Sequence, residues 1–166
     1  MSAPEDHRLS PQEHAFYREE HAETYLGQTR PSDQPSVVFL AGQPGAGKSG
    51  LTKRTLAEYE QDGAVVVDID ELRASHPDYA RLQRIDNRSA AGHVQADASQ
   101  WGDELIEDAA KGRRNIVIDG TMKDADSAER LSRDLHQQGY RVEVRAMATR
   151  HEDSRLGIHD RYEGAK

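Results

Sequence analysis

An α/β sandwich with a mostly parallel sheet, preceded by a separate helix, is the fold class the sequence predicts. Three observations point to it. Apolar runs alternate with stretches of helical period, a glycine-rich loop joins the first run to a helix, and the next two runs end in aspartate. At 166 residues the chain has the size of one ordinary domain.

The first dozen residues are polar. Ser10-Pro11-Gln12-Glu13 then supplies an N-cap, a proline at the first helical position and a capping-box glutamate, which predicts a helix reaching about Leu26. Gly27 to Pro35, with two prolines and no apolar side chain, reads as a connector. The domain organisation is therefore a tail, helix and connector over 1–35 and a main body over 36–166.

In that body the apolar runs are Val37 to Ala41, Ala64 to Val67, Asn115 to Ile118 and Val142 to Met147. The first three lack polar alternation, as expected when helices cover both faces of a sheet. Val94, Ala98, Trp101, Leu105 and Ala109 share one face of a helix, and Ala128, Leu131 and Leu135 form a second stripe that ends before Gly139. Trp101 lies on the first stripe and is expected in the core. Asp103 falls about half a turn away, on a face that suits solvent or a ligand.

Composition narrows the function. With 22 Lys+Arg against 30 Asp+Glu the formal charge is -8, which argues against a nucleic-acid backbone as partner. No cysteine occurs, and the eight histidines follow no spacing such as H-E-x-x-H, so neither a thiolate nor a zinc site is expected. No apolar stretch approaches the roughly 20 residues of a membrane span, and the N-terminus lacks a signal-peptide core, so the chain reads as cytosolic.

Gly42-Gln43-Pro44-Gly45-Ala46-Gly47-Lys48-Ser49, followed by Gly50, satisfies the phosphate-loop pattern G-x-x-x-x-G-K-[ST] between a strand and a helix. Glycines let backbone N–H groups turn inward around an anion. Lys48 can reach the β- and γ-phosphates, and the Ser49 hydroxyl can ligate Mg²⁺. A nucleoside triphosphate, ATP above all, is the implied ligand.

Ligands of parallel sheets sit beyond the carboxyl ends of the strands, where this chain has Asp68-Ile69-Asp70 and Asp119-Gly120-Thr121. A carboxylate near a γ-phosphate organises Mg²⁺ or takes the proton of an attacking hydroxyl. Asp68 and Asp70 share a direction if the strand persists through both, and an aspartate here also suits the cap of a helix starting near Glu71. His76, before Pro77, belongs to a turn beyond that helix start.

The segments GQPGAGKS at 42–49, VVDIDELRASHP at 66–77, HVQADASQWGDEL at 93–105, NIVIDGTMK at 115–123 and SRLGIHDRYE at 154–163 together resemble the zeta toxin family of P-loop kinases, in the family's order. The resemblance implies a P-loop kinase-like three-layer sandwich. It also implies transfer of the γ-phosphate of ATP to the 3′-hydroxyl of the amino-sugar in UDP-N-acetylglucosamine, and a small helical antitoxin as partner. By the same resemblance Asp70 matches the general base, Lys48 the phosphate-loop lysine, and Arg161 an arginine on the ATP phosphates. Asp103, Asp119, Thr121 and Lys123 fall where the family contacts the sugar nucleotide, and His76 joins them as a candidate acceptor contact.

The chain departs from the family pattern with aspartate at 103 and 119 in place of glutamate, and lysine at 123 in place of arginine. It ends at Lys166, before a second phosphate-binding arginine that the family carries. A kinase for another small hydroxyl acceptor, such as an antibiotic or nucleoside, or a truncated nucleotide-binding module with little activity, are the alternatives these departures leave open.

Overall fold

The computed structural model describes residues 7–41, 48–120 and 125–146. Helix α1 (Pro11–Leu26) starts as its sequence dictates. Ser10 Oγ accepts from the Glu13 N–H, the Glu13 side chain accepts from the Ser10 N–H, and Pro11 occupies the first turn. No regular element follows until β1 (Ser36–Ala41), which leads to α2 (Lys48–Ala57), β2 (Ala64–Asp68), the short helices α3 (Ile69–Ala74) and α4 (Tyr79–Ile85), and the long α5 (Ala90–Lys111). Strand β3 (Asn115–Asp119), α6 (Ala125–Gln137) and β4 (Arg141–Ala146) complete the described chain, and Met147 lies outside it.

All three strand pairings are parallel, in the order β2-β3-β1-β4. Successive residues point to opposite faces of a strand, and the core divides accordingly. Val37, Phe39, Val65, Val67 and Ile116 meet Leu105, Ile106 and Ala109 of α5 and Leu135 of α6, with Tyr25 and Leu26 of α1 against the same cluster. On the other face Val38, Leu40 and Val117 pack against Leu51 and Leu56 of α2. The result is a three-layer sandwich.

All but one residue are buried in β1 and in β3, whereas β2 alternates between half-buried and buried residues. The expectation of sealing on both faces fails at β2 because it ends the described sheet. The predicted stripe on α5 is buried throughout, Trp101 included. The buried Asn115 amide locks the strand origins together, accepting from the Ser36 N–H at 3.0 Å and donating to the Gly63 carbonyl at 3.1 Å. Gly63 takes φ +73°, a left-handed conformation that favours glycine.

Candidate functional site at the strand ends

Register places the site. Leu40 of β1 pairs with Asp119 of β3, and Asp119 pairs with Asp68 of β2, so two carboxyl groups stand side by side where β1 gives way to the glycine-rich loop. Asp119 is largely buried, and its Oδ2 accepts from Thr52 Oγ1 of α2 at 3.0 Å. Asp68 is half-buried. Burial first, and the charge of Asp119 second, push its carboxyl above the usual carboxylate range. Such a paired acidic edge favours a cation or a proton close by.

Strand β2 stops at Asp68 because that residue turns into a helix cap. It is the N-cap of α3 in extended conformation, and its Oδ1 accepts from the Asp70 N–H at 2.9 Å. The shared direction expected of Asp68 and Asp70 is therefore corrected, since the two lie on different elements. Asp70, in the first turn of α3, leaves 74% of its side chain exposed and is ion-paired to Arg73 one turn on. Helix α3 rests on α5 where Gly102 stands: a Cβ there would come within 2.5 Å of the Ile69 side chain. Asp103 follows immediately and is exposed, yet surrounding protein and then Glu104 hold its carboxyl above the ordinary value.

A second polar cluster fastens the elements behind this edge. Asp97, 2% exposed on α5, accepts from the Leu9 N–H at 3.1 Å, lies 3.0 Å from His14 Nδ1 and 3.3 Å from His76 Nε2. The other nitrogen of His14 is 3.0 Å from Glu104 Oε2. His76 Nδ1 accepts from the Asp78 N–H, which puts its proton on the side of Asp97. The Trp101 ring lies against His14 and His21, and its Nε1 donates to the His14 carbonyl at 3.1 Å.

Comparison with known proteins now joins the geometry. The zeta toxin family pattern matches residues 21–165. The chain belongs to the zeta toxin family. It is 31% identical over 132 residues to Toxin PezT of Streptococcus pneumoniae serotype 4, covering 80% of this chain and 52% of that protein. Toxin zeta of Enterococcus hirae is 28% identical over 131 residues, 79% of this chain and 46% of that one. A solved chain from a study of the PezAT chromosomal toxin–antitoxin system of Streptococcus pneumoniae superposes with a TM-score of 0.81 at 26% identity, over 97% of this chain and 67% of that one. This zeta toxin family member thus spans about half the length of the relatives it matches.

Within this family member the site residues read from sequence fall into three groups. Asp70, Asp103 and Asp119 are gathered at the strand-end edge or on helices bordering it, Asp70 and Asp103 exposed and Asp119 mostly enclosed. His76 is corrected: its side chain is 0% exposed and both ring nitrogens are engaged inside the protein, so it ties down the turn after α3. Gly42 to Gly47, Thr121, Lys123 and Arg161 lie outside the described residues, as do the side chains of Lys48 and Ser49. Lys48 to Gly50 form the first turn of α2, and Gly50 is exposed with open space where a Cβ would stand.

Sequence reading missed Asp97, His14, His21 and Thr52. A signal existed for Asp97, which lies on the same helical face as Val94 and Trp101, where a carboxylate requires partners. His14 and His21, seven residues apart, likewise share one face of α1. Among the described residues no helix is long and apolar enough to cross a membrane.

Proposed function

We propose that this chain acts as an ATP-dependent kinase that phosphorylates the 3′-hydroxyl of the amino-sugar in UDP-N-acetylglucosamine, as the toxin of a toxin–antitoxin pair. The observation that carries the reading is the register of Asp119 between Asp68 and Leu40, which puts acid beside the departure of the phosphate loop, with Asp70 exposed one element away. Family membership supplies the reaction class. The likeness to a PezAT chain supports a small helical antitoxin as partner.

In this reading Asp70 takes the proton of the acceptor hydroxyl as its oxygen bonds to the γ-phosphorus. The bond from that phosphorus to the β–γ bridging oxygen breaks, and ADP departs with the electron pair. Lys48 and Arg161 hold the charge that develops on the transferring group. The Ser49 hydroxyl and the strand-end carboxylates Asp68 and Asp119 are hard oxygen donors suited to Mg²⁺, which neutralises phosphate charge when bound. In the same reading Asp103, Thr121 and Lys123 recognise the acceptor.

A second acceptor class has one observation in its favour. Asp119 is enclosed and bonded to Thr52 of α2, which commits it to the phosphate side and leaves sugar recognition to Asp103, Thr121 and Lys123. Shorter acids and a point charge in place of a fork suit a different small hydroxyl compound. Mass spectrometry of UDP-N-acetylglucosamine incubated with MgATP and this chain separates the two: one added phosphate supports the first, and ATP turnover only with another acceptor supports the second. Asp70→Asn is expected to keep ATP binding and lose transfer, and undiminished transfer in that variant would remove Asp70 as the base. Lys48→Ala is expected to lose both nucleotide affinity and turnover.

A further inference from the structure

Asp70 stands in solvent on a helix of only six residues, where an aspartate carboxylate has free choice of rotamer. A general base must be held within hydrogen-bond reach of one hydroxyl, and something in the fold has to hold it. Arg73 occupies the place to do so. Its Nη2 pairs with Asp70 Oδ1, while its Nη1 donates to Gln95 Oε1 of α5 at 2.7 Å. Gln95 is fixed in turn, its Nε2 donating to Ser99 Oγ at 2.8 Å. The guanidinium therefore bridges the mobile carboxylate to the longest helix of the fold.

Stability does not account for this arrangement. A pair with one exposed partner contributes about 0–1 kcal/mol at most. Arg73 buries its Nε with no hydrogen-bond partner among the described residues, and its two terminal nitrogens are spent on Gln95 and Asp70. Only 17% of its side chain is exposed, against 74% for Asp70, so the cation is anchored and the anion is the movable member. A largely enclosed guanidinium held by Gln95 and aimed at one exposed acid is placed to orient that acid.

We propose that Arg73, braced by Gln95, is a positioning residue for Asp70: it fixes Oδ1 so that Oδ2 is presented to the acceptor hydroxyl and receives its proton. The inference rests on the kinase reading of Asp70. Lysine at 73 would keep a charge near Asp70 but lacks the planar fork that spans both partners, so it restores orientation only in part. Gln95 carries the same function at one remove.

The test is steady-state transfer from MgATP to UDP-N-acetylglucosamine by the unaltered chain and by Arg73→Met, Arg73→Lys and Gln95→Leu, with a melting curve for each. Arg73→Met is expected to lower kcat by about 10- to 100-fold while the KM for ATP stays within about twofold, the pattern of a misplaced reacting group. Arg73→Lys should recover part of the loss, and Gln95→Leu should lose less than Arg73→Met. All four melting temperatures should agree within a few degrees. An Arg73→Met kcat equal to that of the unaltered chain overturns the inference, as does a loss that follows a collapse in melting temperature equally in all three variants. If the unaltered chain binds ATP and transfers phosphate neither to UDP-N-acetylglucosamine nor to any other small hydroxyl acceptor, the kinase reading falls and takes this inference with it; if it transfers and Arg73 is indifferent, only the inference falls.

Discussion

Replacing Asp97 by alanine is expected to be the most damaging single change available on α5 outside its apolar stripe. Asp97 is 2% exposed and is the common acceptor for the Leu9 N–H at 3.1 Å, His14 Nδ1 at 3.0 Å and His76 Nε2 at 3.3 Å. Alanine leaves three enclosed donors without their acceptor, at about 1–3 kcal/mol each if none finds another. Water entering the vacated space recovers part of this, which brings the expected loss near the roughly 3–5 kcal/mol of a broken buried ion pair. At about 2–4 °C per kcal/mol for a domain of this size, the melting temperature should fall by roughly 6–20 °C. Asparagine keeps the shape and one acceptor, so its loss should be about half as large. Calorimetry gives the stability, and amide exchange gives the location, since protection should drop first along α1. An alanine variant melting within about 2 °C of the unaltered chain, with α1 still protected, would refute the assignment of Asp97 as the point of attachment.

Two further outcomes follow from the same coordinates. His21 is held below its ordinary value by burial first and by His14 second, against the pull of Glu104. Its Nε2 lies 2.8 Å from Ser75 Oγ, whose proton goes to the Leu72 carbonyl, so the ring donates there and leaves Nδ1 buried as an acceptor with no partner among the described residues. With the folded pKa depressed, the unfolded chain binds the extra proton first, so His21 costs nothing above about pH 6.5 and an increasing amount as pH falls through that value. His21→Gln should therefore flatten the acid side of the melting temperature against pH, and an unchanged profile would exclude His21 as its source. At Gly63, φ is +73° and an added Cβ would meet the Gln28 carbonyl oxygen at 3.1 Å, whereas at Gly139, φ +93°, the nearest atom is 3.8 Å away. Alanine should cost about 1–2 kcal/mol from backbone strain at either position and more at Gly63 from crowding. Equal urea midpoints would show that crowding contributes nothing.

Elements carried by local rules were legible in the sequence. The start of α1 was readable because Ser10 and Glu13 satisfy each other's backbone N–H and Pro11 removes a donor of the first turn, and β1, β3 and α5 were readable because burial imposes its period on apolar residues directly. The strand-end acids were legible because a parallel sheet fixes which end of each strand meets a ligand. What stayed hidden depended on contacts far apart in the chain. The cap at Asp68 was one of two local readings, and its choice over a continued strand shows only in the fold; nothing local tells that His76 turns inward, since its partner Asp97 is 21 residues away. His14 and Asp97 are separated by 83 residues, and polar partners follow no period that a sequence displays.

Helix α5 does more than cover the sheet. Leu105, Ile106 and Ala109 face β2 and β3, Asp97 and Glu104 hold α1 through His14, and Gln95 holds Arg73. The absence of a side chain at Gly102 lets Ile69 seat α3 against it. Asp70 and Asp103 are thereby tied to one rigid rod of 22 residues, the first through Arg73 and the second directly. Helix α1 is fastened to that rod in two ways, by Tyr17 and Tyr25 packed against the cluster of Leu72, Ala98 and Trp101, and by the polar cluster of His14 and the Leu9 N–H around Asp97. A change that loosens α1 should reach Asp70 by two routes, through α5 and directly through α3, to which His21 is tied at Ser75 and Tyr25 at Glu71. Damage at His14 is therefore expected in stability before it appears in phosphate transfer, whereas damage at Gln95 should show the reverse order.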